Sequence, residues 1–268
     1  MRKLKSFLKY FVLTVVSLLS VFPLYWMAVS ATNKSVDVIA GKLLPGTYLI
    51  ENLKNLLQAQ AVGKALMNSF RNSIILTLVS LIICSIAGYG FEIYHDKVKD
   101  AIMSILLLAM MVPFVATLIP LFQMFSKIGL LNSTLGFILP SISTPFLIML
   151  FRQSARSFPH DIIEAARIDG LNELNIFLKM FIPTMRSTYA AAMTIVFMNA
   201  WNNYLWPKVI MLSNDKITMP MMIANLLTGY VIDYGMVMFG VLVCTIPTVI
   251  VFFFLQKSFA EGITGAVK

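Results

Sequence analysis

The chain has 268 residues, of which 59% are hydrophobic and 12% charged, whereas a soluble domain averages about 45–50% apolar and about 25% charged. That balance excludes an ordinary water-soluble globule and makes the decisive question whether the apolar residues form runs long enough to cross hydrocarbon, roughly 20 per helix. The formal net charge of +9 resides in short juxtamembrane segments without a zinc or helix-turn-helix pattern, which points to anionic lipid and away from nucleic acid.

Six windows of 20 to 26 residues carry no charged side chain: Lys9 to Lys34, Arg71 to Glu92, Asp100 to Lys127, Lys127 to Arg152, Arg186 to Lys208, and Asp233 to Lys257. They predict an all-α, polytopic membrane protein with six transmembrane helices. The first window follows Arg2, Lys3, Lys5 and Lys9 as a signal peptide would. Its core, however, continues past Pro23 to Tyr25 and Trp26 without a small-residue cleavage site, so it reads as an uncleaved helix. With the N-terminus inside, 13 basic residues fall on the cytoplasmic side and 8 on the outer side, the bias expected of that orientation.

The expected order is a cytoplasmic tail at 1–9, the first span at 10–30, an extracellular loop at 31–68 and a five-helix core at 69–257. Within the core lie a cytoplasmic loop at 152–186 and an extracellular loop at 208–233, and a cytoplasmic tail follows at 258–268. The stretch between Lys216 and Asp233, with Pro220 and Gly229, reads as a loop or a surface-lying helix.

No phosphate-binding loop, H-E-x-x-H motif or Cys and His cluster is present, so neither a catalytic residue nor a metal site is expected. Cys84 and Cys244 read as small buried residues, and His95 and His160 as solvated loop residues. The six windows hold no ionisable group to carry a coupling ion, which places the energy source in another chain.

The cytoplasmic loop is the most organised segment. Asp161 and Glu164 have the spacing of a capping box that starts a helix. Ile162, Ala165, Ala166 and Asp169 are expected on one face of it, the two alanines allowing close approach by a partner, and Gly170 supplies a left-handed stop. A second apolar helical stretch runs from Leu171 to Phe181, and Pro183 ends it or bends it into the fifth span.

The run Glu164-Ala165-Ala166-Arg167-Ile168-Asp169-Gly170, followed by Ile182-Pro183, resembles the EAA loop of ATP-binding-cassette importer permeases, with every spacing matched. The segment Asn199 to Pro207, Thr218-Met219-Pro220, Pro247 and the tail Gly262-Ile263-Thr264-Gly265-Ala266-Val267-Lys268 resemble the carbohydrate-uptake branch, specifically the second permease of heterodimeric maltose-type importers. The resemblance implies a type I importer permease fold in a bacterial inner membrane with both termini cytoplasmic. It implies four kinds of partner: a second permease, two ATPase subunits that hold ATP and Mg, an extracellular solute-binding lipoprotein or periplasmic protein, and the sugar cargo. No cofactor belongs to this chain.

By the same resemblance Asp161, Glu164, Ala165, Ala166, Asp169, Gly170 and Pro183 couple the permease to its ATPase, and Gly262, Thr264 and Lys268 contact it from the tail. The loop at 208–233 would reach the binding protein. Asn199, Asn202 and Asn203, with Trp201 and Tyr204, either line the substrate path or bond between helices. Interhelical bonding is the preferred reading, because the family's sugar contacts lie on the partner permease. Trp201 and Trp206 also fit interfacial anchors. Two rivals remain: an importer of a polyamine or phosphate ester, and a non-transporting membrane scaffold.

Overall fold

In a computed structural model of the protein, the backbone is described for residues 2–265 and side chains for residues 5–256. Among the described residues every regular element is helical. In chain order these are α1 (Arg2–Ser30), α2 (Ser35–Ile39), α3 (Leu49–Ala59), α4 (Val62–Ile93), α5 (Lys97–Ala109), α6 (Phe114–Lys127), α7 (Thr134–Ile138), α8 (Pro145–Ala155), α9 (His160–Ile168) and α10 (Glu173–Ile176). A π turn at Phe177–Phe181 leads into α11 (Ile182–Thr184), followed by α12 (Arg186–Trp201), α13 (Leu205–Ile210), α14 (Met219–Leu226) and α15 (Tyr234–Gly265).

Three helices are long and apolar enough to span a membrane, namely Lys5–Ser30 within α1, α4, and Tyr234–Gln256 within α15. The third and fourth windows, each expected as one transmembrane helix, are bent pairs. Helices α5 and α6 meet at 97°, and Thr134–Ser141 meets α8 at 55°. Proline accounts for both breaks. Pro113 precedes α6 at its N-cap and Pro145 opens α8, positions where a missing N–H costs nothing but a continuing helix cannot be accommodated. The fifth window begins one turn after Pro183. Met185, with ψ 21°, interrupts the helix before α12, and a π turn precedes Pro183.

The chain divides into two compact units. One comprises Met1–Gly63 with Met221–Pro247. Here the expected 31–68 loop is folded: α2 and α3 occupy it, and α4 already begins at Val62. Amides hold it together. Asn52 Nδ2 donates to the carbonyls of Ala31 and Asn33, each at 2.9 Å, and Asn33 Nδ2 to those of Val29 and Leu44, each at 3.0 Å. Helix α3 buries Asn52 and Leu56, one turn apart, and exposes Ile50, Leu53 and Leu57. Charge-free windows do not reveal such a short amphipathic helix, because Glu51 and Lys54 interrupt them. Asp233 starts α15 by accepting from the Met236 N–H at 3.2 Å, an N-cap bond.

The other unit comprises Lys64–Pro220 and the segment from Thr248. Among the described residues its core includes the following clusters. Leu81, Cys84, Met103, Leu147, Ile148, Phe151 and Ala192 join α4, α5, α8 and α12. Tyr89, Ala155, Phe158, Ile163, Ala166, Ile176, Phe177, Phe181 and Met185 join the ends of α4 and α8 to α9, α10 and the π turn.

Candidate functional site

The EAA segment folds as predicted in outline. Helix α9 ends in a Schellman motif: the Gly170 N–H donates to Arg167 O and the Leu171 N–H to Ala166 O, each at 3.0 Å, with Gly170 at φ +81°. Its start differs from expectation. Pro159 occupies the N-cap and Asp161 lies inside the first turn, so the capping box does not form. Asp161 favours the helix through its charge near the positive helix end instead.

The expected common face also divides. Ile163 (2% exposed) and Ala166 are buried, three residues apart, in the cluster with Tyr89, Phe177 and Phe181. Asp161, Ile162, Glu164, Ala165, Ile168 and Asp169 are exposed. Ala166 therefore fixes α9 to this chain's own core, and Ala165 alone of the two alanines offers close approach from outside. Ile168 is 86% exposed, and leaving it in water forgoes about 1.5–3 kcal/mol relative to burial. Leu174 and Leu178 extend the exposed apolar surface along the following turns.

Polar contacts hold this helix pair. Arg167 Nε donates to Glu173 Oε1 at 2.8 Å, and Asn172 caps α10 by accepting from the Asn175 N–H at 2.9 Å. The Arg167 guanidinium, and after it the Tyr94 hydroxyl, hold the Glu173 carboxyl below its usual range. Pro183 lies in α11, directly after the π turn, where it shapes the exit toward α12.

An ion network that the sequence reading did not assemble lies in the same unit. Glu92, one residue from the end of α4, accepts from Arg152 Nε and Arg156 Nε, both at 3.1 Å. Asp100 on α5 accepts from Arg152 Nη2 at 2.5 Å and pairs with His95 Nε2 at 2.9 Å. His95 is exposed as expected but paired, and His160 is exposed as the first residue of α9. A signal existed: Glu92, Asp100 and Arg152 bound charge-free windows in sequence, and helical packing brings opposite signs together there.

The asparagine-rich segment straddles the end of α12. Asn199 and Asn202 are exposed and Asn203 is half-buried, its Oδ1 accepting from the Trp206 N–H at 3.4 Å. Because α12 stops at Trp201, Asn199 stands in its last turn while Asn202 and Asn203 lie in the break before α13. Tyr204 is exposed. Trp201 and Trp206 are each 1% exposed, which corrects their reading as interfacial anchors. Trp201 packs edge-on to Phe70 at 4.7 Å, and Trp206 lies 5.4 Å from Phe125 and donates its Nε1 proton to Gly136 O at 3.1 Å. Asn199 and Asn203 line a cavity of about 200 Å³ together with Ser141, Thr144 and Phe146.

The segment after Lys208 is more than a surface hairpin. Asn68 Nδ2 on α4 donates to the carbonyls of Asp215 and Ile217 at 2.9 and 3.0 Å, and Ser69 Oγ accepts from the Met219 N–H at 2.8 Å. Met219 and Met222 of α14 are fully buried, and an exposed irregular stretch at 227–231 follows the helix. Cys84 and Cys244 are buried. Among the described residues no three His, Cys, Asp or Glu side chains gather as metal ligands. Lys268 lies outside the described residues. Gly262 and Thr264 belong to α15, with side chains outside the described set.

Comparison with known proteins adds three findings. The family model for the binding-protein-dependent transport system inner membrane component matches residues 86–265. The lactose transport system permease protein LacG of Rhizobium radiobacter is 41% identical over 267 residues, covering 100% of this chain and 98% of its own. The arabinooligosaccharides transport system permease protein AraQ of Halalkalibacterium halodurans is 34% identical, covering 94% and 93%. In structure the chain resembles a solved bacterial ABC transporter involved in the import of the acidic polysaccharide alginate, with a TM-score of 0.84 over 95% of this chain and 96% of that one. At 21% identity this last likeness establishes the fold.

Proposed function

The chain belongs to the family of binding-protein-dependent transport system inner membrane components, and from this we propose that it is the permease subunit of an ATP-binding-cassette importer that carries a sugar or oligosaccharide into the cell. The observation that carries the reading is the full-length likeness to a lactose permease at 41% identity, and the arabinooligosaccharide permease supports it. In this reading both termini and the loop at 152–186 face the cytoplasm. ATP and Mg belong to two ATPase subunits, a second permease completes the pathway, and a binding protein delivers the solute outside.

The exposed face of α9, with Ala165 and Ile168, is then where an ATPase subunit docks. Ile163 and Ala166 share a cluster with Tyr89 of α4, Ala155 of α8 and Met185 ahead of α12. Close-packed interiors transmit displacement without absorbing it. A push on α9 from a closing ATPase pair therefore moves these helix ends together as a rigid body.

The test is co-purification of this chain with a co-expressed ATPase and second permease, followed by ATPase assay in lipid with the binding protein and a panel of sugars. The expected outcome is stimulation by one sugar-loaded binding protein, abolished by Glu164→Lys. Failure of any ATPase to co-purify under mild conditions would return the scaffold reading to the front.

A further inference from the structure

We propose that the cavity bounded by α4, α8 and α12 is a subsite for one ring of an uncharged sugar, so that this subunit itself contacts the cargo; the inference rests on the sugar-importer reading above. The cavity lies wholly within the unit Lys64–Pro220. At about 200 Å³ it is smaller than the usual range of about 300–1,000 Å³ for a drug-sized ligand, so it suits a single ring better than a whole oligosaccharide.

Half of its lining residues are aliphatic, Leu76 of α4 among them, and four polar side chains reach it: Ser141, Thr144, Asn199 and Asn203. Amides and hydroxyls both donate and accept, as each hydroxyl of a sugar does. Phe146, 48% exposed, supplies an aromatic surface for the ring's C–H face.

The backbone has the form such a site requires. Ser141 and Thr144 flank the 55° bend between Thr134–Ser141 and α8. Asn203 lies in the second break, after α12. Non-helical backbone at membrane depth is tolerated where it lines a cavity, and broken helices form the binding sites of many transporters. The local bonds there are weak: the Leu147 N–H reaches Thr144 Oγ1 at 3.4 Å and the Trp206 N–H reaches Asn203 Oδ1 at 3.4 Å, long enough for both side chains to turn toward a ligand.

The lining also carries specificity. None of its residues is charged, so a phosphate ester or sugar acid would bring an anion into an apolar cavity without a counter-charge, which is strongly unfavourable. The geometry thus selects neutral sugars over the phosphate-ester cargo of the rival reading.

The experiment uses the assembled importer in proteoliposomes with radiolabelled neutral sugars, lactose first, and glycerol 3-phosphate as the anionic comparator. Wild-type uptake of a neutral sugar and not of glycerol phosphate is expected. Asn199→Leu should raise the uptake KM about fivefold to tenfold, the loss of one or two hydrogen bonds. Asn199→Cys should be alkylated by a small thiol reagent and be protected by saturating sugar during turnover. If Asn199→Leu does not assemble, the Asn199→Cys protection decides. An unchanged KM, or alkylation indifferent to sugar while the wild type transports, overturns the subsite and leaves the sugar-importer reading intact. Uptake of glycerol phosphate alone overturns that reading, and the subsite with it.

Discussion

Gly170 and Gly88 are required for opposite reasons. Around Gly170 no atom beyond its own chain neighbours lies within 4 Å of where a Cβ would stand, yet its φ of +81° belongs to the left-handed region. At Gly88 a Cβ would meet Phe151 Cβ at 2.6 Å and the Arg152 nitrogen at 2.7 Å, so α4 and α8 touch only because that side chain is missing. Gly170→Ala should therefore cost about 1–2 kcal/mol of backbone strain and shift the exit of the chain from α9. In the proposed transporter that appears as ATP hydrolysed without uptake. Gly170→Asn should retain more function, because Asn visits the left-handed region more readily. Thermal unfolding and the ratio of sugar moved to ATP hydrolysed measure the two effects. Equal damage from Ala and Asn would argue against a conformational role. Gly170 was legible because Asp-Gly follows an apolar helical run. The burial of Ala166 and exposure of Ala165 were not, since alanine gives a weak periodic signal and the cluster that decides between them comes from distant helices.

At the scale of elements, the ion network joins three helices at one end of the bundle. The Arg152 side chain is only 7% exposed, and Glu92 14%. Removing one partner of a buried pair leaves an uncompensated charge and typically costs about 3–5 kcal/mol. In Glu92→Gln the Arg152 guanidinium keeps Asp100 as its counter-ion, so the loss should fall below that figure, at about 1.5–3 kcal/mol for hydrogen bonds to a charged group. The Arg156 side chain is 54% exposed, and Arg156→Ala should cost no more than about 1 kcal/mol. Comparing the thermal midpoints of both variants with the wild type in the same detergent checks this ordering, and similar small losses would mean that the network is not structural. The charge-free windows located the apolar stretches, because hydrocarbon thickness dictates their length. They could not locate the bends at 110–113 and 142–144, although Pro113 and Pro145 mark both, since a gap between charges carries no information on direction. They also concealed α2 and α3, which are too short and too interrupted by charge to register.

For the molecule as a whole, membership in the importer family was readable because the EAA segment and the sugar-type segments are sequence-local, whereas the cavity that joins Ser141, Thr144, Asn199 and Asn203 is not. Its members are spread over some sixty positions and meet only where two spans are broken. Nearly all of α1 is exposed and apolar, which suits contact with lipid or a partner helix and would be untenable in water. The central claim is that α9 turns one face to its own core and the other to an ATPase. The most direct test places a photo-crosslinking benzophenone side chain at position 168, and separately at position 163, in the co-expressed complex. The account predicts that the probe replacing exposed Ile168 captures the ATPase subunit and that the probe replacing buried Ile163 captures only this chain. Capture of the ATPase from position 163, or of lipid alone from position 168, would contradict it.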